Sequence, residues 1–126
     1  MKSALIIDDE VELKEVYSKY LSHLGYEDVV LSNDSLDAFV LCSQRKFDVI
    51  TLDHKMPLLK GADFLKALRS RPGVNQFTPV MMISGFVPDF YDSIKTIENT
   101  FFLDKPIDLE KFSKYLKLIT VSKESA

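Results

Sequence analysis

The sequence predicts an α/β fold in which a five-stranded parallel sheet is covered by helices on both faces. Two observations predict it. Five short β-like runs alternate with five longer stretches of helical periodicity between residues 3 and 119. Three of the runs, ALII, VITL and VMMI, are apolar without alternation, as strands buried on both faces must be.

Residues 3–8, SALIID, have strand length and end in acid. The stretch ELKEVYSKYLSHLG then puts Leu13, Val16, Tyr17, Tyr20, Leu21 and Leu24 on one helical face, with Gly25 as the stop. Residues 26–32, YEDVVLS, form the second strand. Asn33 or Asp34 caps the next helix, which carries Leu36, Phe39 and Val40. DVITLD (48–53) is the third strand, and a loop with Pro57 and Gly61 leads to a helix at about 62–70. RPGVNQFT is a polar connection to the fourth strand, PVMMIS (79–84). A helix near 89–98 carries Phe90, Ile94 and Ile97, and TFFLD (100–104) is the fifth strand. Asp108 caps a last helix with Leu109, Phe112, Leu116 and Ile119 at helical spacing. The domain is expected over 1–120, with 121–126 as a C-terminal tail or linker stub.

YEDVVLS is mixed in polarity and belongs at an edge, which with right-handed crossovers gives the strand order 2-1-3-4-5. This is the flavodoxin-like order. The chain reverses direction between the first and third strands, and ligands in such sheets sit at the carboxyl ends of the strands at that switch point.

The bulk composition narrows the function. A chain of 126 residues with 46% hydrophobic residues suits one globular domain. A net charge of −3 argues against gripping nucleic acid by phosphate neutralisation. No apolar stretch reaches membrane-spanning length, and the first residues lack a basic start and a cleavage site, so a cytoplasmic protein is expected. Cys42 is alone, which leaves no intrachain disulfide, and its apolar helical setting reads as core.

The chemistry is expected where the strands end. The first ends in Asp8, Asp9 and Glu10. The third ends in Asp53, followed by His54, Lys55, Met56 and Pro57. The fourth ends in Ser84 and Gly85, and the fifth in Asp104, Lys105 and Pro106. In the 2-1-3-4-5 order these groups converge on one rim. Adjacent carboxylates repel and resist burial, so the cluster is favourable only around a hard divalent cation such as Mg²⁺, which takes oxygen ligands. With such a cation and Lys105, the rim can also hold a phosphoryl group, and a central carboxylate can attack phosphorus. Taken singly, each acid reads equally as a helix cap, Lys105 as a surface lysine and Ser84 as a turn residue. The joint pattern carries the functional reading.

The motifs IIDDE, TLDHKMP, MMISG and FLDKP, in that order, resemble the receiver domain of bacterial two-component response regulators, from about residue 3 to 120. The resemblance implies that Asp53 is the phosphoacceptor. It implies that Asp8, Asp9 and Asp53 hold Mg²⁺ together with the backbone carbonyl of Lys55. It makes Lys105 the contact to the phosphoryl group, with a cis bond to Pro106. Ser84 becomes the switch hydroxyl and Phe102 its aromatic partner. The implied donor is a phosphohistidine on a sensor histidine kinase or a histidine phosphotransfer protein. The implied output is a change in the surface of the fourth helix, fifth strand and fifth helix that controls a partner, an output domain or a phosphorylation-dependent dimer.

The chain departs from that pattern in three places. Phe102 lacks the phenol of the Tyr that many receivers carry, ENTFFL replaces a small Gly-Ala pair, and Lys55 and Phe86 should overhang and gate the acceptor. Phe86 excludes water and Lys55 offers donors but no base, so slow autodephosphorylation is expected. His54 should turn outward if the strand continues that far, since neighbours on a strand alternate, and His23 suits a helix C-terminus. The apolar stretch FVPDFY (86–91) is either tucked core or an exposed partner surface through Phe86 and Tyr91.

Three rival readings stand beside this one. A phosphohydrolase with an aspartate nucleophile wants a D–x–D pattern after the first strand. A flavin domain wants a Ser/Thr/Gly-rich phosphate loop there. A receiver-like interaction module acting without phosphorylation would show a lost acceptor, metal or lysine residue. The sequence meets none of the three, and it names no kinase or output partner.

Overall fold

The computed structural model describes residues 2–56, 58–85 and 91–125, with side chains for all of these but 93 and 120–125. The elements run β1 (Lys2–Ile7), α1 (Val11–His23), β2 (Tyr26–Ser32), α2 (Ser35–Gln44), β3 (Val49–Asp53), α3 (Gly61–Ser70), β4 (Val80–Ser84), α4 (Tyr91–Ile94), β5 (Thr100–Asp104) and α5 (Leu109–Ser125). The five strands pair in the order β2-β1-β3-β4-β5, all parallel. The sequence-predicted α/β architecture is the one observed, with β2 and β5 at the edges.

Strand alternation sorts the core into two layers. Leu5, Ile7, Ile50, Leu52, Val80 and Met82 face α2, α3 and Ile94 of α4. Ala4, Ile6, Val49, Met81, Ile83 and Leu103 face Tyr17 and Leu21 of α1 and Phe112, Leu116 and Ile119 of α5. The same two-residue step carries past the strand ends. Asp8, Asp53 and Lys105 continue the columns facing α1 and α5, whereas Ser84 and Phe102 continue those facing α2 and α4. The site therefore straddles the sheet edge.

Some local expectations shift. On α2, Leu36 and Val40 are exposed, and the buried face is Ser35, Ala38 and Cys42. Those small side chains let the helix lie close to the sheet. On α1, Val16 is exposed and Lys14 is buried, its ammonium donating to Asn33 Oδ1. Asp34 caps α2 by accepting from the Asp37 N–H at 2.8 Å, and Asp108 caps α5. The helix expected over 89–98 closes at Ile94. The Ile97 N–H bonds the Ile94 carbonyl three residues back, and Asn99 at φ 56° turns the chain into β5. The other end of that helix, with Phe90, lies outside the described residues. Helix continues through 121–125, where a tail was expected.

The amino end of the sheet is held by polar side chains. Buried Asn75 accepts from the Phe47 N–H and the Thr78 hydroxyl, and donates to the carbonyls of Cys42 and Arg45. Arg69 donates to the carbonyls of Gln76, Thr78, Glu98 and Asn99. The connection that reads as merely polar in sequence is thus a clasp that joins α2, β3, β4 and β5. Asn75→Ala leaves a buried N–H and two buried carbonyls without these partners. We expect a loss on the order of 3 kcal/mol, measured by urea unfolding, with the fold retained.

Candidate functional site

Four carboxylates meet at the carboxyl rim of β1 and β3. One oxygen from each of Asp8, Asp9, Glu10 and Asp53 lies within 4.8 Å of every other. Asp8 is held inward because its N–H continues the sheet ladder to the Ser32 carbonyl at 3.1 Å. Its Oδ1 accepts from the Glu10 N–H at 2.9 Å, which caps the entry to α1 from within the site. Asp53 ends β3, and its Oδ1 accepts from the Lys55 N–H at 3.3 Å. Asp8 and Asp53 are 1% and 4% exposed, whereas Asp9 and Glu10 lie open to solvent.

Lys105 answers this charge. The ladder between β4 and β5 runs one residue past Asp104, with the Lys105 N–H on the Ser84 carbonyl at 2.8 Å, and the Lys105–Pro106 bond is cis. Its ammonium lies 3.3 Å from Glu10 Oε1, 3.4 Å from Asp53 Oδ2 and 3.7 Å from Asp8 Oδ2. One cation cannot balance four anions. Burial raises the Asp8 carboxyl above its ordinary range, and the charge of Asp53 adds to it against the Glu10 N–H and Lys105. Burial likewise raises Asp53, with Lys105 opposing. Burial alone would lower Lys105, but Asp53, Asp8 and Glu10 together hold it raised.

The start of α3 backs the end of β3 closely. A Cβ on Gly61 would stand 2.6 Å from the Asp53 carbonyl oxygen and 2.8 Å from His54 Cα, closer than atoms tolerate. An outward His54 is expected only if the strand continues that far. β3 stops at Asp53, and His54 is buried on the α3 side. Its Nδ1 accepts from the Ala62 N–H at 3.2 Å and its carbonyl from the Gly61 N–H at 2.9 Å, which ties the first turn of α3 to the end of β3. His23 is exposed in the last turn of α1, and Cys42 is buried, its thiol pushed up to about 12 by burial.

On the other face of the sheet, Ser84 is buried and Phe102 half-buried. The Phe102 ring meets Tyr91 edge-on at 5.0 Å, and Tyr91 is 40% exposed. Lys55 is exposed. Phe86, the other expected gate, lies outside the described residues, as does the rest of 86–90. Sequence reasoning placed Glu10 at this rim but gave it no role there, whereas the structure brings its carboxylate into the cluster and onto Lys105.

Residues 4–117 match the response regulator receiver domain family. The chain belongs to that family. This receiver is 30% identical over 80 residues to chemotaxis protein CheY-3 of Vibrio cholerae, covering 64% of this chain and 61% of that one. It is 28% identical over 114 residues to the sensor histidine kinase AruS of Pseudomonas aeruginosa, covering 89% of this chain and 11% of the kinase. The chain thus spans less than two thirds of either curated relative. The structure of Vibrio cholerae CheY4 matches with a TM-score of 0.82 at 30% identity, over 94% of this chain and 98% of that one. The receiver of sensor kinase PA1611 of Pseudomonas aeruginosa shares the fold, with a TM-score of 0.80 at 20% identity over 94% and 98% of the two chains. Its structure holds a magnesium ion in the active-site cleft.

The raised carboxyls have a stability consequence with a definite sign. A carboxyl harder to ionise when folded contributes stability at low pH that is lost as pH rises through its folded value. Asp8→Asn keeps the Oδ1 acceptor and removes the charge. The metal-free variant should melt above wild type at pH 7, by about 4 °C per kcal/mol in a domain of this size. The gain should vanish as pH falls below the ordinary value of 3.8, which calorimetry across pH checks.

Proposed function

We propose that the chain accepts a phosphoryl group on Asp53 from a phosphohistidine of a sensor histidine kinase or histidine phosphotransfer protein. The observation that carries this is a buried carboxylate at the centre of an acidic rim with Lys105 at 3.4 Å. Oxygen-only donors with an excess of negative charge suit Mg²⁺, held by Asp8, Asp9, Asp53 and the Lys55 backbone carbonyl. When bound, the ion supplies positive charge for the phosphoryl oxygens and offsets the repulsion among the acids.

The protein's own groups do the rest. Lys105 favours the ionised form of Asp53 and then contacts a phosphoryl oxygen. An oxygen of Asp53 attacks phosphorus in line. As the O–P bond forms the donor P–N bond breaks, and the imidazole leaves with the electron pair. Ser84 turns its hydroxyl toward the phosphoryl group, and Phe102, without a phenol, responds by repacking against Tyr91. That alters the surface of α4, β5 and α5, which controls an output partner or a second copy of the domain. The receiver unit in this reading is residues 1–120. The reading goes with a cytoplasmic protein, and no helix among the described residues is long and apolar enough to cross a membrane.

Asp53→Asn preserves shape and removes the attacking anion. With acetyl phosphate and Mg²⁺, intact-mass spectrometry should show one phosphoryl adduct on wild type and none on the variant. An identical adduct on both would dismiss Asp53 as acceptor. No adduct on wild type with donor and Mg²⁺ would favour the module that works without phosphorylation. Exposed Lys55 stands over the approach of water, and a protonated lysine gives no base. Lys55→Asn should therefore speed loss of the phosphoryl group, on the order of threefold for about 0.7 kcal/mol, read from the decay of the labelled protein.

A further inference from the structure

The apolar layer that ends in the acidic rim holds a group that the chemistry above leaves unused. Tyr17 sits in the second turn of α1, 1% exposed, its ring 5.9 Å from that of Phe112. Among the described residues its hydroxyl is the buried side-chain polar atom with no hydrogen-bond partner. A buried donor left unpaired costs free energy, and Phe would fill the same space without that cost.

Tyr17 belongs to the buried apolar layer that also holds Ala4, Ile6 and Val49, in the columns that end in Asp8 and Asp53. After burial itself, the charges of Asp8, Asp53 and Glu10 hold its phenol well above the ordinary tyrosine range, so all three lie within electrostatic reach. None lies within hydrogen-bond distance. On the other side, Asp8 has acceptor capacity to spare. Its Oδ1 takes the Glu10 N–H, and its Oδ2 stands 3.7 Å from Lys105, too far for a hydrogen bond. One layer thus holds a donor without an acceptor and, at its end, an acceptor with room.

We propose that Tyr17 is a positioning residue of the acidic rim, whose hydroxyl donates to one buried water that in turn donates to the carboxylates of Asp8 and Asp53. Three polar partners are the usual complement of a buried water. The water fixes the inner oxygens of both acids from below, so that their outer oxygens are aimed before a cation arrives. The inference rests on the reading of these acids as a cation site.

The test is a thermal-melt cycle on metal-free wild type, Tyr17→Phe, Asp8→Asn and the double variant, with Mg²⁺ affinity of the first two by calorimetry. Tyr17→Phe should weaken Mg²⁺ binding about fivefold, the loss of roughly one hydrogen bond to a charged network. Its effect on Tm should differ between the wild-type and Asp8→Asn backgrounds. An equal rise of Tm in both backgrounds, as loss of an idle hydroxyl gives, overturns the proposal. So does unchanged affinity in Tyr17→Phe beside a wild type that binds. A wild type that binds no Mg²⁺ strikes the cation reading instead, and the melts still decide the role of Tyr17.

Discussion

Lys105 holds together a group of charges that would otherwise drive the rim apart. Its ammonium reaches Glu10, Asp53 and Asp8 from strand β5, across the sheet from β1. That reach depends on register. β5 pairs with β4 so that Ser84 lies opposite Asp104, which brings the next residue, Lys105, to the face where Asp8 and Asp53 stand. A slip of one residue would turn the lysine to the opposite face and leave the acids without it. The order of the strands, the two apolar layers and the pairing at β5 all act on this one contact.

Much of the arrangement is legible in the sequence, for a physical reason. Continuous apolar runs mark ALII, VITL and VMMI as interior strands, and the groups that follow each run must then share a rim. What escapes sequence reading depends on helix rotation and on side chains that act across the chain. Leu36 and Val40 look like core, yet α2 turns Ala38 and Cys42 inward because small residues allow a closer approach. His54 follows strand logic only while the strand lasts, and β3 ends one residue before it. Asn75 sits in a stretch whose composition reads as loop. Its role depends on partners at Cys42, Arg45, Phe47 and Thr78 that no local pattern reveals.

The sheet divides the site into two compartments. Acids, lysine and the Tyr17 ring occupy the side of α1 and α5. Ser84, Phe102 and Tyr91 occupy the side of α2, α3 and α4. Chemistry on one side and aromatic packing on the other are separated by one strand end, the carboxyl terminus of β4. Tyr91 and Phe102 join across the gap between α4 and β5, where the described part of α4 is a single turn.

Arg69 and Asn75 give the molecule a polarity of another kind. They gather backbone from the end of α2 and from the segments that lead into β3, β4 and β5 at the amino edge of the sheet, while like charges crowd the carboxyl edge. The sheet behaves like a fan pinned at its base. Opening motions are cheapest at the spread end, where repulsion assists them, and dearest at the pinned end. The rim can therefore open while the hydrophobic layers stay shut, which puts the cheapest motion beside the acids.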